Sequence, residues 1–158
     1  MTPDDKNRIV QIARILRFMR VEVKLDKLED RAQKWLEKIR LECLKNDDRV
    51  RANQRQRVCV SAMRIICCVM LCSVAEKLLK QYGNSVTAVE EVLSHDSTLT
   101  EKMLKRLQTE KYLKLFDLVA DELLENNLYF SVRKSRQPQR YLLTPHAKRA
   151  KMTQFMPD

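Results

Sequence analysis

Five cysteines, two histidines and one run of carboxylates are the residues of this 158-residue chain whose types could support catalysis or hold a metal. Cys43, Cys59, Cys67, Cys68 and Cys72 contain no C-x-x-C pair. Cys68 and Cys72 stand four apart, on one helical face, but no further Cys or His in register completes a tetrahedral set. Four of the five lie in the most apolar stretch, so they read as small hydrophobes of a core, and an odd number of free thiols fits a reducing compartment. His95 and His146 are far apart and without partners of suitable spacing. Asp117, Asp121 and Glu125, spaced four apart, line one helix face that a divalent cation could use. A solvated face, or a set of partners for the basic segments, is the preferred reading of it. The single glycine, Gly83, excludes a G-x-x-x-x-G-K-[ST] phosphate loop and a G-x-G-x-x-G dinucleotide fingerprint. The expectation is a protein that is not an enzyme and carries neither cofactor nor metal.

What remains is cationic chemistry. Lys and Arg number 31 against 21 Asp and Glu, a formal net charge of +10. Residues 1–57 hold 16 basic and 10 acidic side chains, residues 58–130 hold 8 and 10, and residues 131–158 hold 7 and 1. Two basic flanks around a near-neutral centre suggest cationic surfaces that meet a polyanion, with nucleic acid the commoner partner. In the first flank the charges are interleaved with acids, and a merely solvated surface is an equal reading. In the second, Arg133, Lys134, Arg136, Arg140, Lys148, Arg149 and Lys151 have only Asp158 beside them, and phosphate contact is the favoured role. Arg64 interrupts the apolar stretch. Buried, it needs a carboxylate from 90–125 or, together with Arg55 and Arg57, a phosphate.

The elements that position these residues are helical. One glycine and four prolines leave little material for the many turns of a sheet-rich fold. Thr2-Pro3-Asp4-Asp5 is a helix start, followed by an apolar face of Ile9, Ile12, Ile15, Leu16 and Met19. Leu25, Leu28, Ala32, Trp35, Ile39 and Cys43/Leu44 alternate in threes and fours, a heptad-like seam with charged outer faces. Trp35 on that seam reads as a core anchor rather than a base-stacking platform. Asn46-Asp47-Asp48 breaks the pattern and caps the next helix. Residues 58–79 are apolar all round and should form the buried central helix. Gly83 ends it in the left-handed region. Thr87 with Glu90, and Thr98 with Glu101 in a capping box, open two more helices, the second with a bend near 109–112 and an end at Asn126-Asn127.

The last stretch has two readings. The alternation at 128–133 and 140–143 around Ser135-Arg136-Gln137-Pro138-Gln139 fits a basic β-hairpin, similar to the wing of a winged-helix domain. A continued helix followed by a disordered basic arm is the other, and the hairpin is slightly preferred. The fold expected is all-α, five or six helices around a buried helix at about 58–80, with or without that hairpin. The domains expected are 1–130 and a basic arm at 131–158.

Trp35-Leu36-Glu37, Asp47-Asp48, Arg57-Val58, Ala62-Met63-Arg64, Val119-Ala120-Asp121 and Leu128-Tyr129-Phe130 give the region 25–130 a resemblance to a known family. It is similar to the helical C-terminal part of a domain-of-unknown-function family found in primase/helicase-like proteins of Bacteroidales mobile elements. Larger members carry a helicase-like ATP-binding core upstream, and this chain has no phosphate loop. The resemblance implies a stand-alone remnant or the partner of a separately encoded motor, with Arg57 and Arg64 the candidate functional positions.

The expected function is a non-catalytic nucleic-acid-binding helical module, associated with replication or mobilisation of a mobile element, DNA more than RNA. The alternative is a protein-interaction subunit of a separately encoded helicase or primase, docking through the 25–44 seam. No secretory signal opens the chain, and the longest charge-free apolar stretch, 65–75, falls short of the roughly 20 residues of a membrane span, so a cytoplasmic location without membrane is expected.

Overall fold

A computed structural model describes residues 2–19 and 23–135, with side chains up to residue 126. Its described residues form six α-helices and no strand: α1 (Pro3–Phe18), α2 (Asp26–Asn46), α3 (Arg49–Gln81), α4 (Val86–His95), α5 (Leu99–Arg106) and α6 (Glu110–Ser135). The chain divides into two compact units, Met1–Leu124 and Glu125–Asp158. The described part of the second is the last stretch of α6.

Local chemistry sets most of the helix ends in the first unit. Thr2 and Asp5 form a complete capping box, each accepting from the other's backbone amide, with Pro3 at N1. Asp48 caps α3 by accepting from the Arg51 amide, while Asp47 before it takes the left-handed conformation, φ 51°. Gly83 follows the end of α3 at φ +64°, as its position required. Two expected caps are corrected. Ser85, not Thr87, opens α4, its side chain accepting from the Ala88 amide. Thr98 caps nothing with its side chain, because Asp96 Oδ1 takes both its hydroxyl, at 2.8 Å, and its amide, at 3.0 Å. The bend expected near 109–112 is a full break, with α5 and α6 separated by residues 107–109.

Packing is organised on α3, against which α1, α2, α4 and α5 all lie. The α2 seam of Leu25, Leu28, Ala32, Trp35, Ile39 and Cys43 is buried. It is spent inside the chain and is not a free docking stripe; Leu44, assigned to it, is exposed. α6 joins α2 through large side chains. Trp35 meets Phe116 edge to face, ring centroids 6.4 Å apart. Its Nε1 donates to Asp121 Oδ1 at 2.9 Å, one turn from the Arg31–Asp117 ion pair at 2.6 Å. Ser73 on α3 and Tyr112 on α6 share a hydrogen bond of 2.8 Å.

Two expectations about the centre and the end of the chain are overturned. α3 is not buried all round: Val60, Ile65 and Val69 are 42, 40 and 38% exposed, and Arg64 and Cys68 are exposed beside them. The core residues Val58, Cys59, Ala62, Ile66 and Met70 fall on the other side of this stretch, and nothing among the described residues covers its outer face. α3 is also long and apolar enough to span a membrane, a property that the core helix of a soluble protein shares. In the second unit, 128–135 is helix rather than strand, so the hairpin does not begin there. Two asparagines cost a helix well under about 1 kcal/mol each, and no Gly or Pro follows before Pro138 to stop it. The return strand expected at 140–143 lies outside the described residues.

Candidate nucleic-acid interface

Helical arithmetic separates the three arginines grouped from sequence. At 3.6 residues per turn, Arg57 and Arg64 share a face of α3, about 10.5 Å apart along the axis, whereas Arg55 lies about 200° around from Arg57. Arg57 and Arg64 are both exposed. Neither has an ion-pair or hydrogen-bond partner among the described residues. The expected carboxylate for Arg64 is therefore not there, and its exposure removes the burial cost that called for one.

Arg55 faces the junction of α2 and α3. It lines a cleft of about 410 Å³ with Arg40, Asp47, Asp48 and Arg49, and its Nη1 donates to the Ala52 carbonyl at 3.1 Å. The other three arginines here each have an acid within 4.0 Å. Arg40 Nε donates to Glu37 Oε2 at 2.8 Å, Arg51 lies 3.4 Å from Asp48 and Arg49 4.0 Å from Asp47. The Arg40 bond holds the Glu37 carboxyl below the usual carboxylate range, with the Arg55 charge adding to the effect. This corner is close to self-neutral.

Arg133 and Lys134 belong to the last turns of α6 in the second unit, on helical backbone. Arg136, Arg140, Lys148, Arg149 and Lys151 lie outside the described residues.

The groups considered for catalysis have other work. Asp117 Oδ2 accepts from Arg31 Nη2 and Nε, and Asp121 accepts from Trp35, so two of the three carboxylates on the α6 face hold α2. The bond to Asp117 pushes the Arg31 guanidinium further up in pKa. His95 Nδ1 donates to the Glu91 carbonyl at 2.7 Å. No group of three or more His, Cys, Asp or Glu side chains among the described residues is arranged to hold a metal ion. Cys43 and Cys59 are buried, Cys67 and Cys72 half-buried, and Cys68 is exposed, against the expectation of a uniformly buried set.

One structural residue escaped the sequence reading. Gln108, buried between α5 and α6, places its Oε1 on the first-turn amides of α2, 2.9 Å from Lys27 N and 3.1 Å from Leu28 N. Leu25, the N-cap position, has no side-chain acceptor of its own, and that missing cap is the signal from which a remote one could have been sought. No protein-family model matches the chain, and no curated protein or solved structure is significantly similar to it.

Proposed function

We propose that this chain is a non-catalytic nucleic-acid-binding helical module of the cytoplasm, serving replication or mobilisation of a mobile element, with DNA its favoured partner. The observation that carries the reading is the pair Arg57 and Arg64. They are two turns apart on one exposed face with no carboxylate partner among the described residues, while three of the four arginines at the neighbouring α2–α3 corner lie within 4.0 Å of an acid. Guanidinium groups left unneutralised on a rigid helix are placed to bond phosphate oxygens. The excess of seven cations over one acid in 131–158 supports the same reading. The mobile-element setting rests on the family resemblance alone, and a separately encoded helicase or primase is the protein partner it suggests.

The test is fluorescence anisotropy of the full chain on labelled oligonucleotides at 50–200 mM salt. Affinity should fall steeply with salt, by about 0.9 log unit per log unit of salt for each phosphate neutralised on duplex DNA. Arg57→Glu with Arg64→Glu should weaken binding, and so should a chain ending at Ser135. No binding by the wild-type chain at 50 mM salt overturns the reading.

A further inference from the structure

The outer surface of α2 carries a second cationic feature. Lys27, Lys34, Lys38 and Lys45 stand at i, i+7, i+11 and i+18, and eighteen residues make five full turns, so the four fall within about 20° of one line. All four are exposed. None of the four side chains has an ion-pair or hydrogen-bond partner among the described residues. The row is straight and about 27 Å long at 1.5 Å per residue. The acids around it are displaced from the line or occupied. Asp30 and Glu42 lie about 60° to either side. Glu37 is held by Arg40, and Asp117 and Glu110 by Arg31.

We infer that this row is a phosphate-backbone track for duplex nucleic acid, read without regard to base sequence. The inference rests on the nucleic-acid reading above and adds the surface and the form of the ligand. A duplex is stiff and carries about one charge per 1.7 Å of axis with both strands counted, a density that a rigid line of ammonium groups laid against it can meet. Single strands are held differently, by aromatic rings on which bases stack. Among the described residues, the rings on α2 and packed against it are not available for that. Trp35 is 3% exposed, and Phe116 is closed off against it. Lysine also suits backbone contact better than base reading, being a point charge without the planar fork that arginine presents to guanine.

The experiment compares the full chain with Lys27→Gln/Lys34→Gln/Lys38→Gln/Lys45→Gln on a 20-base-pair duplex and on a 20-nucleotide single strand, at 50, 100 and 200 mM salt. All four positions are exposed, and circular dichroism checks that the variant keeps its helix content. The wild type should prefer the duplex, with little difference between unrelated sequences. The variant should lose at least about tenfold in duplex affinity at 50 mM salt, with a salt slope shallower by up to about 3.6. A variant that binds the duplex as tightly and with the same slope overturns the track and leaves the broader reading standing. Tighter wild-type binding to the single strand overturns the duplex assignment. Failure of the wild type to bind either oligonucleotide overturns the broader reading itself.

Discussion

Gln108 reaches across 80 residues of chain to accept a hydrogen bond from the Leu28 amide at 3.1 Å, and the same oxygen takes the Lys27 amide. α2 begins without a polar residue at its N-cap, so this remote side chain satisfies donors that would otherwise be buried and unpaired. It also fixes the start of α2 against the α5–α6 connection, and hence the position of the Arg31 and Trp35 contacts further along. Gln108→Ala should cost about 1–2 kcal/mol, the usual worth of a cap, read as a lower urea midpoint at unchanged slope. Gln108→Glu keeps the acceptor and should recover most of that loss. Equal destabilisation by both would count against the capping role.

The Trp35–Asp121 bond is separable from the packing of the indole. Trp35→Ala empties a core site and should cost about 3–5 kcal/mol. Trp35→Phe keeps much of the ring and leaves Asp121, which faces solvent, free to bond water, so the loss should be much smaller. A double-mutant cycle of Trp35→Phe with Asp121→Ala should give a coupling of about 0.5–1.5 kcal/mol in urea unfolding. A coupling near zero would mean that the bond contributes nothing beyond packing.

The five thiols should separate by reactivity. Burial pushes the Cys43, Cys59, Cys67 and Cys72 thiols up, which lowers their thiolate fraction as well as their access. Cys68 on the outer face of α3 is exposed. Labelling the native chain with a maleimide at pH 7.5 and mapping by mass spectrometry should find Cys68 modified first. Cys43 and Cys59 should react only on unfolding. Early reaction at Cys59 would contradict the α2–α3 packing, where its sulfur faces the Ala32 carbonyl.

Acid should loosen two helix ends and one ion pair within α2. The Thr2 hydroxyl and amide hold the Asp5 carboxyl below its ordinary range, those of Thr98 do the same for Asp96, and Arg40 does so for Glu37. A carboxyl whose folded pKa is depressed contributes stability that is fully present above its unfolded pKa, near 4, and is lost as pH falls through the folded value. Melting temperature should therefore hold from pH 7 to about pH 5 and drop below about pH 4. Asp5→Asn with Asp96→Asn should flatten that drop. A wild-type melting temperature unchanged down to pH 2.5 would exclude these carboxyls as contributors.

Much of this architecture was legible because the signals are local. The 3-4 alternation of Leu28, Ala32, Trp35 and Ile39 marks a buried stripe, and Thr2, Asp48 and Gly83 sit at the helix ends where their chemistry places them. The misreadings come from competition or from distance. Thr98 had an available acceptor two residues back in Asp96, which a capping motif does not register. The alternation at 128–133 is short enough to fit either period, and the helix already under way continued through it. Arg64 sits in a sequence apolar on every side, and only the arrangement of the neighbouring helices decides which side stays open. The sequence reading grouped Arg55 with Arg57 and Arg64 and did not single out the lysine row of α2; whether acids elsewhere in the fold neutralise such cations is a tertiary fact.

The turn after α3 offers a test confined to the backbone. Gly83 adopts φ +64° and Asn84 φ 63°, two consecutive residues in the left-handed region, and the Asn84 amide donates back to the Leu79 carbonyl at 2.6 Å. A Cβ built on Gly83 would meet nothing within 4 Å. Any cost of Gly83→Ala therefore comes from the left-handed conformation itself, about 1–2 kcal/mol, partly offset by the stiffer unfolded chain. Gly83→Asn tolerates that conformation better and should cost less than alanine. Arg8 Nη1 donates to Asn84 Oδ1 at 2.8 Å, so the turn also positions α1. Urea unfolding of both variants should rank them Gly, Asn, Ala in falling stability, and an alanine variant as stable as wild type would show that the turn relaxes out of the left-handed region at no cost.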